Sequence, residues 1–275
     1  MTVLDVLVYC NDVHVWTPGV RYAAELAAGL GATLTGIHVS PPWPTREPPG
    51  APSSLMAELL AHTQEAVRAA METDARFNAW AGELGVGSVR WYVALGDPAE
   101  VLAVASNWND LTVIDRSIAD RDDTTDLICE MLLSGVVCIA VPDNGYALTR
   151  FDRIAIAFDG SPACIRALHA AAPLLQHAAH IIIIENKLEQ EGCDAPPGPA
   201  FDPQRYFSDR GFQVEIDSAD GRGTRATAIL EAASRNRADL IVCGASGKRH
   251  LGECRLDETP RQLLNYAGIP VLMAR

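Results

Sequence analysis

Two short stretches in the second half of the chain hold the residues best suited to chemistry. The first is Asp159-Gly160-Ser161-Pro162, which follows the apolar run Ile154 to Phe158. Its order suits the start of a helix, with Gly160 for a turn, Ser161 as a cap for the free amides and Pro162 at the first helical position. Asp159 is left at the tip of the preceding strand, where its carboxylate can accept a hydrogen bond from an adenine amino group. The second stretch is Gly244-Ala245-Ser246-Gly247-Lys248-Arg249, after the run Leu240 to Cys243. Glycines three apart predict a backbone that folds back so that successive amides face one concavity, an arrangement that holds phosphates. Lys248 and Arg249 would add positive charge there. A turn without a ligand is the competing reading of a bare Gly-x-x-Gly.

Other reactive side chains fit chemistry less well. Ser161 as a nucleophile needs a positioned base, and His169, eight residues on, lies more than two helical turns away. His169, His177 and His180 do not share metal-ligand spacing on one helical face, so neither a catalytic residue nor a metal site is assigned. Seven cysteines, with no Cys-x-x-Cys pair among them, predict free thiols in a reducing compartment and neither a disulfide nor a zinc framework. Cys243 reads as a small buried residue, and Cys254, inside the glycine loop, as the better candidate for an exposed thiol. Trp80, Trp91 and Trp108 lie within apolar segments and are expected to pack the first core.

The elements that must position these residues come in two sets. Asn109-Asp110-Leu111-Thr112-Val113-Ile114 reads like Ala238-Asp239-Leu240-Ile241-Val242-Cys243, 129 residues later. Val6 to Cys10 parallels Ile154 to Phe158, and Val136 to Val141 parallels Ile269 to Ala274. Repeats of this size are a duplicated domain and not a solenoid. In each copy short β-branched runs alternate with Ala/Leu-rich segments of helical period, the pattern of a parallel sheet covered by helices. Five strands are expected per copy, near 3–9, 33–39, 88–94, 110–115 and 136–141, then near 153–158, 180–185, 212–217, 239–243 and 269–274. Runs such as Ile181 to Ile184 are apolar on both faces, as central strands between two helical layers must be. Residues 54–84 predict one long helix started by Ser53 or Ser54. The matching part of the second copy has three prolines at 196, 197 and 199 and predicts a loop, then a short helix near 203–210. The second copy also has four extra residues after its fourth strand, expected to build a larger loop. The domains are therefore 1–142 and 151–275, with 143–150 as linker.

Length and charge agree with that division. The 275 residues suit two domains of ordinary size, and 48% hydrophobic residues are enough for a core in each. A net charge of -13 repels phosphate backbones and argues against nucleic-acid and anionic-membrane partners. Residues 1–142 hold 7 Arg and no Lys against 18 Asp and Glu, whereas 143–275 hold 15 basic against 17 acidic residues. An anionic ligand would therefore choose the second copy. With no long apolar run and no secretory pattern at Met1 to Asp5, the expected address is the cytoplasm.

Asp159-Gly160-Ser161, Asp239 to Gly247 and Gly268-Ile269-Pro270-Val271-Leu272, with Ile37-His38-Val39, Gly96-Asp97-Pro98 and Asp110 to Ile114 in the first copy, together resemble the universal stress protein family over essentially the whole chain, as a tandem pair. The resemblance implies a Rossmann-like, adenine nucleotide alpha hydrolase-like five-stranded sheet in each copy. It also implies pairing of the copies through their last strands, with a monomer imitating a dimer and a homodimer of such chains both open. In one branch it implies ATP at the strand tips, which here would need a divalent cation such as Mg, or a shift of Thr259 into register, to keep Asp257 and Glu258 from repelling the terminal phosphates. Carried over by position, Asp159 and a backbone group near Asn186 would meet adenine, and Gly244 and Gly247 would meet ribose and phosphates. The family pattern then wants a Gly-Ser or Gly-Thr pair nine residues on, where this chain has Asp257-Glu258, with Thr259 next. The first copy has Asp115-Arg116-Ser117 and no glycine, a poor phosphate seat. The implied function is a non-enzymatic stress-response or regulatory protein with a reduced nucleotide site in the second copy and an unidentified protein partner. The alternatives are a binder of another small molecule, an interaction scaffold without a nucleotide, or a slow ATP hydrolase with Asp257 and Glu258 as metal ligands.

Overall fold

The computed structural model describes residues 5–40, 53–116, 121–143, 151–185, 202–218, 223–250 and 253–275. The strands, in chain order, are β1 (Asp5–Tyr9), β2 (Thr33–Ser40), β3 (Ser88–Leu95), β4 (Leu111–Asp115), β5 (Cys138–Val141), β6 (Arg153–Phe158), β7 (His180–Glu185), β8 (Gln213–Ser218), β9 (Leu240–Gly244), β10 (Gly247–His250), β11 (Glu253–Leu256) and β12 (Val271–Ala274). Ten of them form one sheet in the order β3-β2-β1-β4-β5-β12-β9-β6-β7-β8, while β10 and β11 form a separate two-stranded hairpin. The order reads the same from either edge once the copies are matched. The copies meet where β5 pairs antiparallel with β12, Ile139 facing Leu272 and Cys138 facing Met273. All other described pairings within the sheet are parallel.

Nine described helices cover the sheet: α1 (Pro18–Leu30), α2 (Ser53–Glu72), α3 (Asp74–Glu83), α4 (Pro98–Ser106), α5 (Arg121–Leu133), α6 (Pro162–Leu175), α7 (Pro203–Ser208), α8 (Arg225–Arg235) and α9 (Glu258–Tyr266). Their starts follow local chemistry. Thr17, Asp97, Ser161, Asp202 and Thr224 each cap the following helix by accepting from a backbone amide three residues on, and in four of these helices Pro takes the first position. Strand side chains alternate between two cores. Val6 and Val8 point with Ile154 and Ile156 toward α1, α3, α6 and α7. Leu7 and Tyr9 point with Ala155 and Ala157 toward α4, α5, α8 and α9. Among the described residues no helix is long and apolar enough to cross a membrane.

One device explains the repeated Asp-Leu signature. Asp110 accepts from the Asp5 amide at 3.1 Å and Asp239 accepts from the Arg153 amide at 2.9 Å, so the same carboxylate ties the fourth strand of each copy to its first.

Five expectations need correction. The stretch 54–84 is two helices, broken at Thr73, whose hydroxyl donates to the Ala69 carbonyl at 2.9 Å, a back-bond that bends helices. The extra residues after β9 form the β10–β11 hairpin and not an irregular loop. The cysteines are not all free, because Cys129 in α5 and Cys254 in β11 are joined by a disulfide between the copies. Cys254 is consequently 7% exposed and not a surface thiol. Trp108 lies outside the core at 82% exposure. Trp16, Phe77, Trp80 and Trp91 form the aromatic cluster of the first copy, with Phe77 and Trp91 centroids 4.9 Å apart.

Candidate functional site

The carboxyl ends of β6 and β9 and the starts of α8 and α9 surround a cavity of about 220 Å³. Its walls include Asp159, Arg225, Gly244, Ser246, Asp257, Glu258 and Thr259. Three of the residues expected from sequence, Asp159, Gly244 and Thr259, are thus brought together. Gly160 and Ser161 lie at the α6 start and do not line the cavity. Ser161 caps the helix by accepting from the Cys164 amide at 3.1 Å, and Gly160, at φ 70, makes the turn before it. Gly247 and exposed Lys248 belong to the hairpin beyond the cavity wall. The Arg249 backbone pairs with Cys254 in that hairpin, while its side chain and all of Asn186 lie outside the described residues.

The glycine stretch differs from the amide concavity expected of it. Gly247 to His250 run extended and pair antiparallel with Glu253 to Leu256, and the Ala245 amide donates to the Ala274 carbonyl at 2.8 Å. These backbone groups serve ladders. The two glycines are required by close approach instead. A Cβ on Gly244 would lie 2.4 Å from the Cys164 nitrogen, and one on Gly247 would lie 2.7 Å from the Arg255 carbonyl oxygen.

The first copy closes the corresponding place. Asp115 sits at the tip of β4, where the second copy has Gly244, and its carboxylate accepts from the Gly19 amide in the first turn of α1 at 2.6 Å. Asp115 is 1% exposed. The glycine is on the helix in one copy and on the strand in the other: a Cβ on Gly19 would meet the Asp115 Cβ at 2.7 Å. A carboxylate of the chain itself thus holds the positive end of α1.

Sequence reasoning missed Arg225. Its guanidinium lies 3.5 Å from the Asp159 carboxylate, whose other oxygen accepts from the Ser161 amide at 2.9 Å. Arg225 directly follows the Thr224 cap, at the place where the first copy has Pro98 after Asp97, and that difference between copies was its only signal. Thr224 also donates to Gln262 at 2.7 Å, and Gln262 donates to Glu258 at 2.8 Å, so the starts of α8 and α9 are locked together. Cys243 lines the cavity too, but burial pushes its thiol up and leaves it a poor nucleophile. The walls therefore present three carboxylates and one guanidinium. That balance repels a phosphate and suits hydrogen-bond donors. Among the described residues no group of three His, Cys, Asp or Glu side chains is arranged to hold a metal ion.

Two matched halves of one largely parallel sheet, with helices on both faces, define a duplicated Rossmann-like protein. The sequence profile of the universal stress protein family matches residues 17–114 and 204–275, and the chain belongs to that family. It is similar in fold to a universal stress protein from Archaeoglobus fulgidus, at 16% identity and a TM-score of 0.62, over 98% of this chain and 96% of that one. It is also similar to a functionally unknown protein from Pseudomonas aeruginosa PAO1, at 14% identity and a TM-score of 0.54, over 99% and 92%. A protein from Pseudomonas aeruginosa UCBPP-PA14 matches at 15% identity and a TM-score of 0.53, over 99% and 93%. A search of curated proteins gave no match.

Proposed function

We propose that the chain is a non-enzymatic regulatory protein of the stress response, acting in the cytoplasm, whose second copy binds an adenine nucleotide while the first serves packing and partner contact. The observation carrying this reading is the difference at one strand tip: Asp115 places a carboxylate against the start of α1, and Gly244 places none against the start of α6. The cavity walls favour one orientation. The amino group of the base and the ribose hydroxyls are donors and suit Asp159, Asp257 and Glu258, so the base and sugar enter and the phosphates lie outside, toward Gly247 and Lys248. A cavity of about 220 Å³ is smaller than the roughly 300 Å³ at which small-ligand pockets begin, which agrees with the phosphates lying outside it. Magnesium accompanying ATP would offset the carboxylates of Asp257 and Glu258.

Titration calorimetry with AMP, ADP and ATP, with and without magnesium, tests this. Sub-millimolar binding of AMP is expected, weakened about tenfold by Asp159→Ala through loss of one hydrogen bond to a charged acceptor. Millimolar or weaker affinity for all three nucleotides overturns the reading. No phosphate release from ATP above background is expected.

A second reading rests on a cleft of about 610 Å³ in the first copy, walled by Ile37, Tyr92, Val101, Val104 and Trp108, with Arg90 also lining it. It suits a flat apolar molecule, because Glu100 on the same wall and Asp5, 3.2 Å from Arg90, balance the one guanidinium. A thermal shift with anilinonaphthalene sulfonate, lost in Trp108→Ala, and none with adenine nucleotides would favour it.

A further inference from the structure

The hairpin beside the cavity depends on the other copy for its position. Among the described strands β10 and β11 pair only with each other, and a lone two-stranded hairpin is marginal in water. The hairpin rests on α5, which belongs to the first copy, and the contact is covalent: Cys129 of α5 and Cys254 of β11 are bonded, with Cα atoms 6.0 Å apart across 125 residues of sequence. From Cys254 the chain runs through Arg255 and Leu256 directly to Asp257, Glu258 and Thr259 on the cavity wall. The Asp257 amide closes the hairpin base on the Ser246 carbonyl at 2.8 Å.

Cys129 is 1% and Cys254 7% exposed, so a reductant meets the bond only through the space beside it. Cys129 and Cys254 border a solvent-open cavity of about 1010 Å³ that also includes Arg255, Glu258 and Arg261. Glu258 therefore lines both this cavity and the one beside Asp159. Arg255 and Arg261 on the wall of the larger cavity offset part of the repulsion that Asp126, Glu130 and Glu258 exert on an incoming thiolate and on the thiolate that leaves. The described free cysteines offer no competing thiolate: Cys10, Cys138, Cys164 and Cys243 are buried, and burial pushes Cys138 up to about 12 and Cys164 up to about 11.

We propose that Cys129 and Cys254 form a reversible thiol–disulfide exchange site that clamps the hairpin to the first copy, and that a dithiol reductant releases it and loosens a nucleotide held in the adjacent cavity. A thiolate of the reductant attacks one sulfur, the Cys129–Cys254 bond breaks, and its electron pair leaves on the other cysteine. The reductant's second thiolate then displaces the mixed disulfide. Two electrons and two protons pass to the cysteines, the reductant ends as a disulfide, and a small-molecule disulfide reverses the sequence. The coupling to nucleotide rests on the function proposed above, whereas the clamp does not.

The test uses the full chain, air-oxidised or treated with dithiothreitol. Thiol alkylation under denaturing conditions and mass spectrometry read the bond, hydrogen exchange reads the peptide 247–256, and calorimetry reads AMP affinity. Reduction is expected to free two thiols, speed hairpin exchange about tenfold while leaving β7 unchanged, and weaken AMP about tenfold. Oxidised glutathione should restore all three. Cys254→Ser and, independently, Cys129→Ser should behave as the reduced protein with or without dithiothreitol. Two alkylated thiols at 129 and 254 before reduction, or hairpin exchange indifferent to reduction, overturns the clamp. Unchanged AMP affinity overturns the coupling. No AMP binding in either state removes the nucleotide site but leaves the clamp to its own readouts.

Discussion

At the scale of single residues, the sharpest constraint falls on glycines that look alike in sequence. A methyl group on Gly244 would lie 2.4 Å from backbone of α6, which can move only with the helix, so Gly244→Ala is expected to cost about 1–3 kcal/mol or more. Gly29, exposed in α1 with nothing within 4 Å of an added Cβ, should gain about 0.5–1 kcal/mol as Gly29→Ala through helix propensity. Urea denaturation of both variants checks the pair, and similar shifts would refute the packing role given to Gly244. Asp239 offers a pH test. Burial raises its carboxyl above the usual carboxylate range, with the Arg153 amide only partly opposing this. The folded chain therefore binds that proton more tightly than the unfolded chain. Its contribution to stability is full below the ordinary carboxylate value and is lost as pH rises through the folded one. Asp239→Asn should accordingly show a smaller loss of stability than the parent between about pH 4 and pH 7, measured by thermal unfolding. Parallel pH profiles would exclude this assignment.

At the scale of elements, apolar runs such as Ile181 to Ile184 or Val6 to Val8 marked the inner strands of the sheet, because a strand buried on both faces must be apolar at nearly every position, whereas the edge strands β3 and β8 mix polar residues in and are partly exposed. The capped helix starts were legible for the same local reason, since Ser161-Pro162 and Asp97-Pro98 carry their own signal. What escaped the reading depends on distant partners. The strands Gly247 to His250 and Glu253 to Leu256 have little apolar character, and only their mutual pairing and the support of α5 make them a hairpin. The Cys129–Cys254 bond spans 125 residues and leaves no trace in local spacing. The site was half legible: Asp159 and Gly244 stand at strand tips that any parallel sheet would use, but Arg225 reaches Asp159 from another element. Apolar context also misplaced Trp108, which lies just beyond α4 at 82% exposure, while Phe77 in α3 is fully buried among three tryptophans. Trp108→Ala should therefore change stability by no more than about 0.5 kcal/mol, and Phe77→Ala should cost about 3–5 kcal/mol. Comparable losses in the two variants would place Trp108 in a core after all.

At the scale of the whole molecule, the β5–β12 seam joins the two copies into one continuous sheet and is expected to couple their folding. Ile139 and Leu272 face each other across it and both are fully buried. Polar contacts continue the seam: Arg116 at the end of β4 donates to the Leu264 and Ala267 carbonyls at the end of α9, where a cation also meets the negative end of the helix. Arg275 reaches back to the Leu133 carbonyl at 3.3 Å. The sequence supplies a clean probe of this unity, because all five tryptophans, at 16, 43, 80, 91 and 108, belong to the first copy. Tryptophan fluorescence therefore reports the first copy alone, while far-ultraviolet circular dichroism reports both. If the seam couples them, the two signals share one urea midpoint in the oxidised protein, as a two-state transition requires. Leu272→Ala, made in the second copy, should then lower both midpoints together by an amount equivalent to about 2–5 kcal/mol. A fluorescence midpoint that stays in place while the dichroism midpoint falls would mean that the first copy folds without the second, and that the continuous sheet joins two domains of independent stability.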